Sequence, residues 1–158
     1  MGDFSHLSND GTARMVDISG KADSARLASV CGVVSISTKC VELLGQRSIL
    51  EVITTARIAG IQASKLTSQL IPLCHQVTLS RVDIDVKLDD QRSCFQLNAT
   101  ASSTGSTGVE MEALTAATVA GLTIYDMIKA VDPGASVGPF RLLTKSGGKH
   151  GQWSRPNE

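Results

Sequence analysis

Residues 109–131 constrain this chain more than any other stretch. They read Val-Glu-Met-Glu-Ala-Leu-Thr-Ala-Ala-Thr-Val-Ala-Gly-Leu-Thr-Ile-Tyr-Asp-Met-Ile-Lys-Ala-Val, a helical run that Asp132-Pro133-Gly134 stops. Its apolar positions fall on more than one side, so the helix must be largely buried. A sheet has to cover one side. A second copy of the chain is the simplest cover for the other.

The sheet is legible upstream. Val82, Ile84, Val86 and Leu88 alternate with Asp83, Asp85 and Lys87; after Asp89-Asp90-Gln91, Phe95, Leu97, Ala99 and Ala101 alternate with Gln96, Asn98 and Thr100. That pattern predicts a hairpin with one apolar face for helices to cover. Ala28, Val30, Val34 and Ile36 predict an earlier strand, followed by a short helix capped by Thr38 and ending at Leu44. A break at 45–48 precedes a helix over about 49–65, with Val52, Ala56, Ala59 and Ala63 on one face and Gly60 as a close-packing position. Residues 68–78 read as irregular around Pro72, and a last strand covers about 137–144.

The order is strand, helices, strand, strand, helix, strand. It predicts an α+β, ferredoxin-like split β-α-β fold, with a four-stranded antiparallel sheet, helices on one face, and oligomeric assembly. Residues 1–21 read as an N-terminal arm, 22–144 as a single domain, and 145–158 as a basic, Gly-rich tail.

Charge removes whole function classes. The 158 residues carry 15 Lys plus Arg against 15 Asp plus Glu, without the basic excess of a general nucleic-acid or membrane-surface binder. A local cluster could still hold a small anion. One Trp and one Tyr argue against base-stacking platforms. Cys31, Cys40, Cys74 and Cys94 form no Cys-x-x-Cys pair, so neither a zinc site nor a disulfide scaffold is expected. The start, Met-Gly-Asp-Phe-Ser-His-Leu, does not read as a signal peptide. A cytoplasmic protein is expected, although a chain trimmed of a leader would read the same, which keeps a mitochondrial location open.

Three clusters could carry chemistry. Glu110 and Glu112 open the long helix, and Asp126 with Lys129 closes it on one face. Thr107-Gly-Val-Glu110 also fits a capping box, which would give Glu110 a structural task. Asp126 and Lys129 suit proton exchange if partly buried, with the Lys pKa pushed down by burial and up by the acid; otherwise they are a plain surface pair. Glu112 and Asp126 are fourteen residues apart, about 21 Å along a helix, beyond the reach of one small substrate. Antiparallel packing of two subunits would bring one chain's Glu112 towards the other's Asp126. The second cluster is Leu73-Cys74-His75 after Pro72, suited to acid–base work, or else a backbone-bonded His beside a core Cys. The third is Lys145-Ser-Gly-Gly-Lys149, an anion cradle or a solvated end. Arg57 and Lys65 are further cations on the second helix, and Arg14, Asp17 and Arg26 lie near the start.

Several strings then fall in a familiar order: Phe4-Ser-His-Leu, Ala13-Arg-Met-Val-Asp17, Ala56-Arg-Ile-Ala-Gly-Ile61, Leu70-Ile-Pro-Leu-Cys-His75, Thr107-Gly-Val-Glu-Met-Glu-Ala-Leu-Thr115, Tyr125-Asp-Met127 with Lys129, and Lys145-Ser-Gly-Gly-Lys149. Over nearly its whole length the chain resembles the molybdenum cofactor biosynthesis protein C family, the cyclic pyranopterin monophosphate synthases. The resemblance implies a hexamer of three dimers with active sites at dimer interfaces. It also implies conversion of 3′,8-cyclo-7,8-dihydro-GTP into cyclic pyranopterin monophosphate with release of diphosphate. By position, Asp126 looks like the catalytic acid–base group, with Lys129 and His75. Leu73, Cys74, His75, Met111 and Glu112 look like substrate contacts, and Lys65, Arg26, Lys145 and Lys149 like phosphate-side helpers. No resident metal is implied, and Mg²⁺ travelling with the triphosphate is the one cofactor left open. The partners implied are the nucleotide-derived substrate, further copies of the chain and the upstream GTP cyclase; nucleic acid and membrane are not.

The chain departs from the family pattern once. The family usually carries Lys in a Lys-Gly-Asp-like stretch before the Ala-Arg-Ile-Ala-Gly helix, where this chain has Ile49-Leu50-Glu51. Arg47 could replace the charge but not a proton transfer. The alternative reading is therefore a catalytically impaired member that binds a purine nucleotide or pathway partners. A plain oligomeric interaction module is a third and more distant reading.

Overall fold

The computed structural model describes residues 4–149 and 151–156, without the Arg47 side chain. Any compensation by Arg47, and His150 in the tail, therefore lie outside the described residues. Strand β1 spans Ser24–Ser35, followed by helices α1 (Thr38–Leu43), α2 (Gln46–Ser64) and α3 (Thr67–Leu70). The hairpin β2 (Leu79–Asp89) and β3 (Cys94–Gly105) comes next, then α4 (Glu110–Ile128), β4 (Ser136–Ser146) and β5 (Trp153–Ser154).

The strands form one sheet in the order β2-β3-β1-β4-β5, antiparallel throughout. The first four follow the expected ferredoxin-like topology, and the fold is α+β as read from the sequence. The difference is a fifth strand: Trp153 and Ser154 pair with Lys145 and Thr144, so the chain after 145 returns to the sheet.

Alternation decides the inner face. Ala28, Val30 and Val34 of β1, Ile84 and Val86 of β2, and Phe95, Leu97, Ala99 and Ala101 of β3 are buried beneath the helices. The hairpin's charged positions face away, paired as Arg81–Asp83 and Lys87–Asp85. Helix α4 lies over the sheet centre with Ala113, Ala116, Ala117, Ala120 and Ile124 fully buried, and α2 packs beside it. Gly60 makes that contact close, since a Cβ there would sit 2.6 Å from the Ala116 carbonyl oxygen.

Helix boundaries differ from the sequence reading for local reasons. The cap of α1 is Ser37, one residue before the expected Thr38; its hydroxyl accepts from the Cys40 N–H at 3.2 Å. Asp132 ties that helix start to the end of α4, its Oδ2 accepting from the Ser37 N–H at 2.6 Å. Helix α2 begins at Gln46, because Gly45 starts the helix that it was expected to precede as part of a break. Among the described residues no helix is long and apolar enough to cross a membrane.

Candidate functional site

The sheet register gathers one cluster. Ser24 of β1 lies opposite Gly105 at the end of β3, and Leu27 opposite Ser146 at the end of β4. These strand ends meet the loop that starts α4, and together they border a cleft of about 700 Å³. Lys21, Arg26, Lys145 and Lys149 line it against the carboxylates of Asp23 and Glu110. Arg26 Nε donates to the Gly105 carbonyl at 3.0 Å, which fixes its guanidinium at the wall. Gly147 and Gly148 have φ of +101° and +71°; a side chain would strike the Ala25 carbonyl at the first and the Arg26 guanidinium at the second. The glycines therefore let the basic loop close onto β1.

Glu110 does not complete the expected capping box. Val109 is the N-cap of α4 and no side chain caps the helix. The Glu110 carboxylate instead accepts from Lys145 Nζ at 3.0 Å, both side chains being partly shielded. An ion-pair partner within reach outcompetes a single backbone N–H.

The second cluster sits beside the first turn of α4, outside the cleft lining. Glu112 is only 3 % exposed, and its carboxyl pKa is raised, first by burial and then by the Glu110 charge, against a backbone hydrogen bond that lowers it. The Cys74 thiol is also pushed up, first by burial and then by the Glu112 charge, and α3, just before this loop, packs against α4. His75 Nε2 bonds the Val16 carbonyl at 2.8 Å. The carbonyl can only accept, so Nε2 is the donor in this bond. This bond also docks residues 16–17 of the arm against the domain. Leu73 and Met111 are half-buried nearby in sequence.

The far end of α4 carries the third cluster. Lys129 Nζ donates to Asp126 Oδ1 at 2.6 Å, with side chains 56 % and 71 % exposed. The expected partial burial is absent in the single chain. The Lys129 pKa is raised, mainly by its hydrogen bond to Asp126, where partial burial would have lowered it. The reason is local: Met127 and Val131 beside the pair are themselves exposed, so the desolvation of the ammonium is outweighed by Asp126. Lys65 donates to Gln62 at 3.1 Å on the exposed side of α2, away from the cleft, and Arg57 is likewise exposed.

The structure thus brings Arg26, Lys145 and Lys149 together in the cleft, sets Cys74 within reach of the Glu112 charge, and leaves Asp126, Lys129 and Lys65 outside the cleft lining. Sequence reading missed Lys21, Ser24 and the role of Glu110, because strand register joins them and no local spacing signals it. Among the described residues no three His, Cys, Asp or Glu side chains gather as metal ligands.

Comparison with known proteins decides the family. Residues 15–148 match the model of the MoaC family. The chain belongs to that family. A relative from Thermomicrobium roseum, named cyclic pyranopterin monophosphate synthase, is 42 % identical over 160 residues, covering 100 % of this chain and 96 % of its own. One from Mycobacterium bovis, named cyclic pyranopterin monophosphate synthase 2, is 48 % identical across 98 % of this chain and 92 % of its own. A Nocardioides relative with the first of those names is 48 % identical across 97 % and 96 %. These names lend nothing to the alternative of an impaired member; Ile49 lies half-buried in the first turns of α2.

Proposed function

We propose that this MoaC-family protein is a cyclic pyranopterin monophosphate synthase, a diphosphate-releasing lyase of molybdenum cofactor biosynthesis acting on 3′,8-cyclo-7,8-dihydro-GTP. The observation that carries this reading is the cleft: four cations gathered at the N-terminal end of α4 in a chain of zero net charge. Such a site suits a triphosphate, and the positive end of the helix dipole adds to it. Arg26, Lys145 and Lys149 hold the phosphates, with Lys21 as a fourth cation. Lys145 is already oriented by Glu110, and the ammonium groups offset the charge that develops as diphosphate departs.

Ring rearrangement needs proton donors and acceptors. Glu112, holding its proton to higher pH than an ordinary carboxyl, and the His75 imidazole provide them at the near end of α4. Leu73, Cys74 and Met111 shape the wall beside them. Asp126 and Lys129 supply the remaining pair from a neighbouring protomer, since their own lie about 21 Å along the helix from Glu112. Exposed Leu122, Met127 and Val131 around that pair support its burial against another copy, in dimers that assemble into a hexamer. The upstream GTP cyclase delivers the substrate, and the bacterial relatives support action in the cytoplasm.

Incubation of the purified protein with the cyclised GTP tests the reading. Cyclic pyranopterin monophosphate and diphosphate form with the wild type and not with Lys129→Ala. Tight binding without product from the wild type would overturn it.

A further inference from the structure

One polar group in the cleft is left without a partner. Ser24 Oγ is buried and makes no hydrogen bond, and among the described residues it is the only buried side-chain oxygen or nitrogen in that condition. Ser24 lines the cationic cleft. On β1, Ser24, Arg26 and Ala28 point to the same side, with Ala28 fully buried in the core beneath the helices. The Ser24 hydroxyl and the Arg26 guanidinium are therefore neighbours on one face. Across the register lies Gly105, whose carbonyl accepts from Arg26 Nε and not from the Ser24 hydroxyl. Beyond Gly105 the chain turns into the N-terminus of α4, which no side chain caps.

A buried hydroxyl without a partner carries a desolvation cost that a fold normally avoids. Ser24 borders the cleft, and its hydroxyl needs only a turn about the Cα–Cβ bond to change the direction in which it donates. There Lys21, Arg26, Lys149 and the Glu110-paired Lys145 outnumber the carboxylates of Asp23 and Glu110, and with the open helix end they favour an anion. The groups around the hydroxyl attract acceptor-rich, negatively charged ligands, and a hydroxyl proton is the donor still unused.

We propose that Ser24 is a phosphate-binding residue of this site, its hydroxyl donating to an oxygen of the substrate's polyphosphate beside Arg26. This rests on the cleft being the triphosphate site. Ser24 thus complements the cations. They attract charge without direction, whereas the hydroxyl donates along one line and fixes where a phosphate oxygen sits.

Inorganic triphosphate is the probe, titrated calorimetrically into the full chain as wild type, Ser24→Ala, Ser24→Thr and Arg26→Ala. A hydrogen bond to a charged group implies roughly tenfold weaker binding by Ser24→Ala. Ser24→Thr restores the affinity, because it keeps the hydroxyl. The KM for the cyclised nucleotide rises with Ser24→Ala in step with the loss of triphosphate affinity. The unliganded Ser24→Ala protein melts at or above the wild-type temperature, because its hydroxyl had no partner to lose. Unchanged triphosphate affinity in Ser24→Ala, with affinity lost in Arg26→Ala, overturns this role and leaves the cleft standing. A lowered melting temperature that Thr does not restore shows a structural serine and also overturns it. Failure of the wild type to bind triphosphate removes the cleft reading and this inference together.

Discussion

The two ends of α4 are built in opposite ways. At the N-terminal end, strand ends, the Gly147-Gly148 loop and the helix start enclose four cations and a paired Glu110, and Glu112 is buried beside that cleft, outside its lining. At the C-terminal end, Asp126 and Lys129 stand in solvent with only each other. One end is organised by this chain alone. The other carries charged groups of the right kind for proton transfer and no walls. An exposed i,i+3 pair adds little to stability. The contrast teaches that α4 has two unlike ends: its start borders a walled cleft, and its last turn leaves a charge pair open to solvent.

Substitution at the exposed end should produce the largest effect. Lys129→Ala is expected to lower kcat by roughly 10²–10⁴-fold, the range for loss of a positioned proton-transfer group. Its melting temperature as an isolated chain should stay near wild type, and its affinity for inorganic triphosphate should be unchanged. A large loss of stability would break the comparison, because it would make the pair structural.

The cleft should respond through binding instead. Arg26→Ala or Lys149→Ala is expected to raise KM about tenfold, as loss of one charge-assisted contact implies. Added salt should weaken wild-type binding in the same direction. A fall in kcat at unchanged KM would move these residues out of the phosphate site.

The smallest effect sharpens the buried side of the contrast. The folded Glu112 carboxyl titrates above its ordinary value of 4.5, because burial disfavours its charge. Between the unfolded and folded values the unfolded chain has released a proton that the native state keeps, so stability falls as pH rises through that window. The contribution is complete below the unfolded value and lost above the folded one. Glu112→Gln should therefore flatten the decline of melting temperature above about pH 4.5, by a few degrees at most. Parallel curves for the two proteins would contradict the burial of Glu112.

Most of the fold could be read in the chain because it depends on periodicity. The alternation in 82–88 and 95–101, and the apolar run of α4, each specify a face locally. What escaped depends on partners far away in sequence. Trp153 becomes a strand only because β4 offers an edge, and Glu110 abandons a capping box only because β4 brings Lys145 to it. The cleft was half legible. Arg26, Lys145 and Lys149 were picked out by type and by resemblance, whereas Lys21 and Ser24 join them through the pairing of Ser24 with Gly105, which no spacing reveals. Asp126 and Lys129 were legible as a pair, and the single chain leaves both exposed, since a stretch of apolar letters does not say whether its cover comes from the same chain.

Subunit mixing tests the shared use of α4 most directly. Lys129→Ala and Glu112→Gln proteins, each inactive alone, are unfolded together, refolded and assayed on the cyclised GTP. If one protomer's Lys129 serves the pocket of another's Glu112, random pairing leaves one intact site in each mixed dimer, and about a quarter of wild-type activity returns. If both residues act within a single chain, every site in the mixture carries a lesion. No activity returning from verified mixed assemblies would contradict the account.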